Sequence, residues 1–407
     1  MSNVKNYFNE LLEYMEGKTI VNTHSHHMED KSFTDFNLDV LLKNSYVDWC
    51  GVSFDKTKVS RQNYLNQVRY NSYFVWLQNA LQKIYKIKQP LTADNWNYFS
   101  EKIRDAHKDK NNHIRLLKQN CHYEKIILDA YWNPGDDNGY PKLFATAYRV
   151  NIFYFGYNRT AKNLEGLNPQ ELYGEKIDDL ASYVEFMRKI INQKVKEGSV
   201  ALKSAVAYFR GLDFNETTRD KAERVFLQDS NKVTEEDIKA FQDYISHELF
   251  KIAAELDIPF QIHTGLGLLK KSNAMQLQEI IEKNPSTKFV LFHCGYPWMD
   301  DVAGLFHVYP NVYLDICWLP LISTSACERF LHELIEVGTA SKICWGGDTW
   351  TGEESYGALL AVRYVLAKVL SQKIKDAYLS VGDARLIVDN ILYNNPRQLY
   401  NLETNLK

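Results

Sequence analysis

The chain has 407 residues, of which 45% are hydrophobic and 24% charged, with a formal net charge of −3. These ordinary globular values argue against wholesale disorder, and the slight acidity argues against a nucleic-acid partner, which would call for a basic patch. No run reaches the roughly 18 apolar residues of a membrane span.

The start of the chain, Met1 to Asn6, lacks the apolar core of a signal peptide, and the six cysteines have no paired spacing and read as reduced thiols. The expectation is a cytoplasmic protein acting on a small molecule, with no nucleic acid, no membrane, and compatibility with a homo-oligomer. The length suits two or three average domains or one α/β barrel with insertions.

In chain order, the first strand-like run (18–24) carries Thr19-Ile20-Val21 and leads into His24 and His26. Residues two apart on extended backbone point to the same side. His27 points to the opposite side if the strand continues, and is a minor candidate for substrate contact. About a hundred residues then precede the next strand, too many for a simple crossover. This insertion (31–124) is aromatic and helical in pattern. Tyr64, Tyr70, Tyr73, Phe74, Trp76 and Leu77 lead into Leu81, Ile84 and Tyr85, Pro90 breaks the run, and Thr92 to Trp96 opens another helix. An insertion after a barrel strand sits over the active-site face, so a helical cap is expected. A separate interaction module is the alternative.

Further strands are expected at 125–131, 143–150, 199–207, 257–263, 288–293, 311–316 and 342–347, and helices at 178–197, 233–256, 272–283, 323–337 and 353–372. Asp213 to Thr217 opens a second, smaller insertion, and Pro396 starts a last helix. Eight apolar runs alternating with helices predict a parallel sheet closed as a distorted (β/α)8 barrel, residues 1–407 forming one unit.

Ligand-type residues close several of these runs: His263 after the fifth, His293 after the sixth, Asp348 after the eighth. In a parallel barrel they meet His24 and His26 at one rim. Neutral imidazole and carboxylate oxygen suit a zinc-like divalent ion, with manganese or iron also reasonable, and a catalytic site leaves one position open. His24, His26, His263 and Asp348 are the expected ligands. Asp348 is also placed for general-base work, and His293 either binds a second ion or polarises substrate.

Lys203 lies inside the apolar fourth run. Burying an ammonium is costly unless it is paired or deprotonated. It is therefore a carbamate bridging two metals, a partner for a substrate carboxylate, or a side chain snorkelling to the barrel end. Arg210 could clamp a carboxylate through its planar fork. Trp298, Trp318 and Trp350 put aromatic faces near the mouth, suited to a sugar ring or an apolar substrate portion.

The motifs Thr23-His24-Ser25-His26, Leu202-Lys203-Ser204, Gln261-Ile262-His263-Thr264-Gly265, Phe292-His293-Cys294-Gly295-Tyr296-Pro297, Tyr313-Leu314-Asp315 and Gly346-Gly347-Asp348-Thr349-Trp350 together resemble the amidohydrolase superfamily. The nearest branch is the one related to the amidohydrolase half of glutamine-synthetase-like fusion proteins. The resemblance implies a distorted (β/α)8 barrel with His24, His26, His263 and Asp348 as metal ligands and His293 at the sixth-strand position. It puts Lys203 on the strand where binuclear members carry a carboxylated lysine, leaving one or two ions open. The implied activity is hydrolysis of a C–N or C–O bond by metal-activated water. The insertion, with Asn71 to Leu77 and Trp96, also looks like the elaboration of uronate isomerases, although the eighth-strand segment departs from theirs. Decarboxylases share the fold and ligands as well.

Overall fold

The computed structural model describes residues 6–229 and 231–402. Residues 1–5, on which most of the signal-peptide reading rests, lie outside them. Eight strands, β1 (Ile20–Ser25), β2 (Tyr123–Leu128), β3 (Phe144–Arg149), β4 (Ser199–Ser204), β5 (Phe260–His263), β6 (Phe289–Phe292), β7 (Val312–Asp315) and β8 (Ile343–Cys344), pair in sequence order and in parallel. With helices between them they form a (β/α)8 barrel. All eight predicted runs hold a strand. β4 stops earlier than expected because Val206–Tyr208 coils into a 3-10 turn. β8 is only two residues long.

The barrel closes through a seam of backbone bonds rather than a long ladder. The amide of Thr23 donates to Trp345 (3.3 Å), that of Asp348 to His24 (2.8 Å), and that of His26 to Thr349 (2.9 Å). Gly346 makes this approach feasible, since a Cβ there would lie 2.6 Å from the His24 amide nitrogen. The bottom of the barrel is filled from the other end of the chain. Leu399, Tyr400 and Leu402 join Val21, Ile127, Val200 and Val290 in the inner core, and Gln261 Nε2 donates to the Tyr400 hydroxyl at 2.9 Å.

Between β1 and β2 lie α2 (Leu38–Lys43), α3 (Lys58–Val68), α4 (Ser72–Ile84) and α5 (Trp96–Ala106), which follow α1 (Tyr7–Met15). They enclose a small core of their own, with Phe36, Leu41, Tyr64, Leu77, Trp96 and Phe99. The aromatic run is two helices rather than one because the Asn71 side chain accepts from the Tyr73 amide and caps α4. α4 ends well before Pro90, where Lys86 turns to φ 54°. It packs on the long helix Gly352–Lys375, and Gly357 allows the contact: a Cβ there would meet the Trp76 carbonyl at 2.9 Å.

The expected outer helices form at Leu180–Lys196, Glu235–Glu255, Thr324–Val337 and Gly352–Lys375. Each starts at a side-chain cap, and Thr234 with Asp237 makes a full capping box. The interval 272–283 instead divides into a 3-10 turn, Ala274–Leu277, and a short helix, Gln278–Lys283. No helix among the described residues is long and apolar enough to cross a membrane.

Candidate metal centre

At the carboxyl ends of the strands the chain surrounds a cavity of about 210 Å³ lined by His24, His26, Lys203, His263, His293 and Asp348. His26 Nδ1 donates to the Asp129 carbonyl at 2.8 Å, which leaves its Nε2 lone pair facing Asp348 Oδ1 at 3.1 Å. His24 Nε2 stands 3.7 Å from the same oxygen. His24, His26 and Asp348 have their ligand atoms within 4.8 Å of one another, as do His293, Cys317 and Asp348. Asp348 therefore belongs to both groups.

The protonation states favour metal donors. Burial, helped by the nearby Lys203, holds the His24 imidazole well below its usual range, hence neutral. Burial alone would raise the Asp348 carboxyl, yet the closeness of His26 and the surrounding imidazoles hold it well below the usual carboxylate range. Both donors are in the form that binds a cation. These donors fit a divalent ion with a nitrogen and oxygen shell.

His263 stands one step aside. Its Nε2 donates to the Leu266 carbonyl, and its Nδ1 lies 3.0 Å from His293 Nε2, while His293 Nδ1 donates to the Cys317 carbonyl at 3.1 Å. With both outer nitrogens donating, two inner lone pairs would face each other, an arrangement that requires a proton or a cation to relieve it. The structure thus groups His24, His26 and Asp348 directly and brings His263 in through His293.

Lys203 is 1% exposed, its Nζ has no hydrogen-bond partner among the described residues, and it sits 3.7 Å from the centre of the Phe292 ring. Burial lowers its ammonium to about 8. His293, Trp318 and Asp348, at the ends of β6, β7 and β8, all have positive φ (62°, 60° and 55°). Non-glycine residues held there store strain, which clusters at functional sites.

Other expected contacts fall elsewhere. Arg210 is taken by Asp243 at 2.6 Å and opens on a different cavity, because the Glu235–Glu255 helix brings that carboxylate alongside it. His27 lies just past the end of β1 and is buried away from the cavity, its ring 5.1 Å from that of His113, because the chain stays extended there, with the amides of His26 and Met28 donating to Thr349 and Trp350. Trp298 precedes the helix Met299–Val308 and is not among the lining residues. Trp318 is buried behind the site, with its ring 5.1 Å from His293 and 4.6 Å from Tyr46. Trp350 does line the cavity, its ring 5.5 Å from His26.

Sequence reasoning misses Asp129 and Arg149, which close β2 and β3. Arg149 bonds Asp129 at 2.5 Å and lies 3.5 Å from Glu165, so a buried ion pair backs His26. Burial would raise the Asp129 carboxyl, but Arg149 and the imidazole of His26 hold it down. Tyr46, Trp49, Tyr131 and Tyr208 complete the walls. Trp49, Tyr131 and Trp350 also line an adjoining outer chamber of about 490 Å³, together with Trp132, Lys31 and Lys43.

Residues 189–402 match the family described as Amidohydrolase. Protein fluG of Emericella nidulans is 29% identical over 221 residues, a match covering 50% of this chain and 26% of that protein. Among solved structures, a candidate metal-dependent hydrolase of Lactobacillus casei superposes with a TM-score of 0.72 at 17% identity, covering 98% of this chain and 99% of that one. The glucuronate isomerase of Caulobacter crescentus superposes with a TM-score of 0.77 at 18% identity, covering 99% and 96%. At such identities these likenesses concern the fold.

Proposed function

The chain belongs to the amidohydrolase family, and from that membership we propose that it is a metal-dependent hydrolase cleaving a C–N or C–O bond of a small, carboxylate-bearing molecule. The observation that carries the reading is Asp348, an ionised carboxylate within reach of His24, His26 and His293 in the cavity at the strand ends. A divalent ion held by His24, His26 and Asp348, with His263 beside it and zinc as the default, would supply Lewis acidity toward a carbonyl and toward water.

The side chains do the rest. Asp348 takes a proton from the attacking water and later returns one to the leaving group. In its imidazolium form, with the added proton relieving its contact with His263, His293 stabilises charge developing on the carbonyl oxygen while the Cys317 carbonyl fixes the ring. Lys203 meets a substrate carboxylate from the β4 side, or is itself modified to a carbamate. Arg149, neutralised by Asp129 and Glu165, positions His26 through the Asp129 backbone. The segment between β1 and β2 acts as a cap: Tyr46 and Trp49 come from it and face the cavity. The outer chamber, with Trp49, Trp132 and Trp350, suits a flat ring or a sugar face as the body of the substrate. The enzyme so described acts in the cytoplasm on a small molecule.

Metal analysis of the purified protein, paired with a screen of esters, amides and lactones, tests this. Bound metal without turnover on any of them would count against hydrolysis. The second reading is an isomerase interconverting aldose and ketose forms of a uronic acid. It is supported by the fold likeness to glucuronate isomerase, which extends across nearly all of both chains. A panel of uronates assayed for ketose formation separates the two, and carbon dioxide release would mark a decarboxylase.

A further inference from the structure

On the outer face of the barrel, α1, α4 and the Gly352–Lys375 helix surround a second cavity, of about 840 Å³, which shares no lining residue with the metal centre. Tyr356, Leu360, Arg363 and Tyr364 follow one another at helical spacing, so a single face of the long helix forms one wall. Trp76 of α4 forms part of another, its ring 5.6 Å from that of Tyr364.

Arg363 is the anomaly in this wall. Of the three buried arginines among the described residues, Arg149 pairs with Asp129 and Arg210 with Asp243. Arg363 is 8% exposed, and neither its Nε nor its Nη2 has a hydrogen-bond partner among the described residues. Glu16 influences it through space without ion-pair contact, and burial pulls the guanidinium below its usual range. A desolvated guanidinium costs stability until an anion joins it, and its planar fork matches a carboxylate.

We propose that this cavity binds a small molecule carrying one carboxylate on an apolar or aromatic body, with the carboxylate on Arg363 and the body against Trp76 and Tyr364. Glu13, Glu16 and Lys83 also line this space but are exposed, so Arg363 is its one buried charge, and with the apolar wall it suits a carboxylate on an apolar body better than phosphate. A ligand there clamps α1 and α4 to the long helix, whose first turn holds Glu354, the acceptor for the amides of Tyr46 and Trp350 in the wall of the metal centre.

The test is a thermal-shift titration of the full chain with benzoate. Wild type should gain Tm in a saturating manner. Arg363→Met should bind at least tenfold more weakly, and so should Asn79→Glu, which adds a like charge from a half-buried position on α4. Phosphate, lacking the body, and benzyl alcohol, lacking the charge, should shift Tm little. Benzoate bound at the metal centre would instead respond to Trp49→Ala. If Arg363→Met does not fold, Asn79→Glu decides. A benzoate shift unchanged in both variants overturns the proposal, as does no wild-type shift at tens of millimolar. So does a loss of stability in Glu16→Gln equal to that of Arg363→Met, which would show that Glu16 already satisfies the guanidinium.

Discussion

Asp348 Oδ1 lies 3.1 Å from His26 Nε2, and the two residues come from opposite ends of the chain. The seam between β8 and β1 brings them together: the Asp348 amide donates to the His24 carbonyl and the His26 amide to that of Thr349. The backbone bonds that close the barrel also set the spacing of the candidate ligands.

Replacing the Asp348 carboxylate by an amide keeps the shape and removes the base. Asp348→Asn should lower kcat by about 10²-fold or more, with far-UV circular dichroism and Tm close to wild type. Near-normal turnover would remove Asp348 from the proposed mechanism.

Arg149 and Asp129 are both buried. Removing one partner of such a pair strands the other charge, so Arg149→Met should cost about 3–5 kcal/mol in denaturant unfolding. Because Asp129 also orients His26, metal affinity should fall by roughly 10–100-fold in a competition titration. A loss of stability with metal affinity untouched would show that the pair only braces the barrel.

Glu354 receives the amides of Tyr46 (2.6 Å) and Trp350 (3.4 Å), yet burial outweighs these bonds and raises its carboxyl to about 8. The folded state therefore holds a proton that the unfolded chain releases near its ordinary value of 4.5. Stability from this group is full below that value and declines as pH rises toward 8. Glu354→Gln should flatten the fall in Tm between pH 5 and pH 8.5. An identical slope in the variant would show that Glu354 ionises freely.

A methyl group at Gly346 would stand 2.6 Å from the His24 amide nitrogen and 2.8 Å from Thr23 Oγ1. Gly346→Ala should cost about 1–3 kcal/mol by overpacking, and should lower metal occupancy by spreading the seam. Metal content per chain after dialysis is the check, and full occupancy would uncouple the seam from the site.

Trp49 joins the inner cavity to the outer chamber. If the outer chamber holds the body of the substrate, Trp49→Ala should raise KM several-fold and change kcat less, on whichever substrate the screen identifies.

Much of this is legible in the sequence because barrel strands are covered on both faces and read as unbroken apolar runs, as Phe289–Phe292 does. A histidine or aspartate closing such a run marks the rim. The alternation of extended backbone likewise separates His26 from His27. The same signal marks Asp129 and Arg149, but there it is diluted, since a single acid or base at a strand end has many ordinary uses. Arg210 illustrates the opposite difficulty. Its partner Asp243 sits on a helix whose approach depends on tertiary packing, so its commitment is invisible in one dimension. Cys317 is hidden for a related reason: only the left-handed turn at Trp318 and the bond from His293 show that it faces the site.

The seam also bears on how the protein matures during synthesis. His24 and His26 leave the ribosome early, whereas Asp348 follows only after all eight strands have been made. The stretch from 189 to 402, though it spans the family match, holds His263, His293 and Asp348 without the first two imidazoles. A nascent chain paused before β8 should therefore acquire no tightly held ion, and metal loading becomes one of the last events of folding.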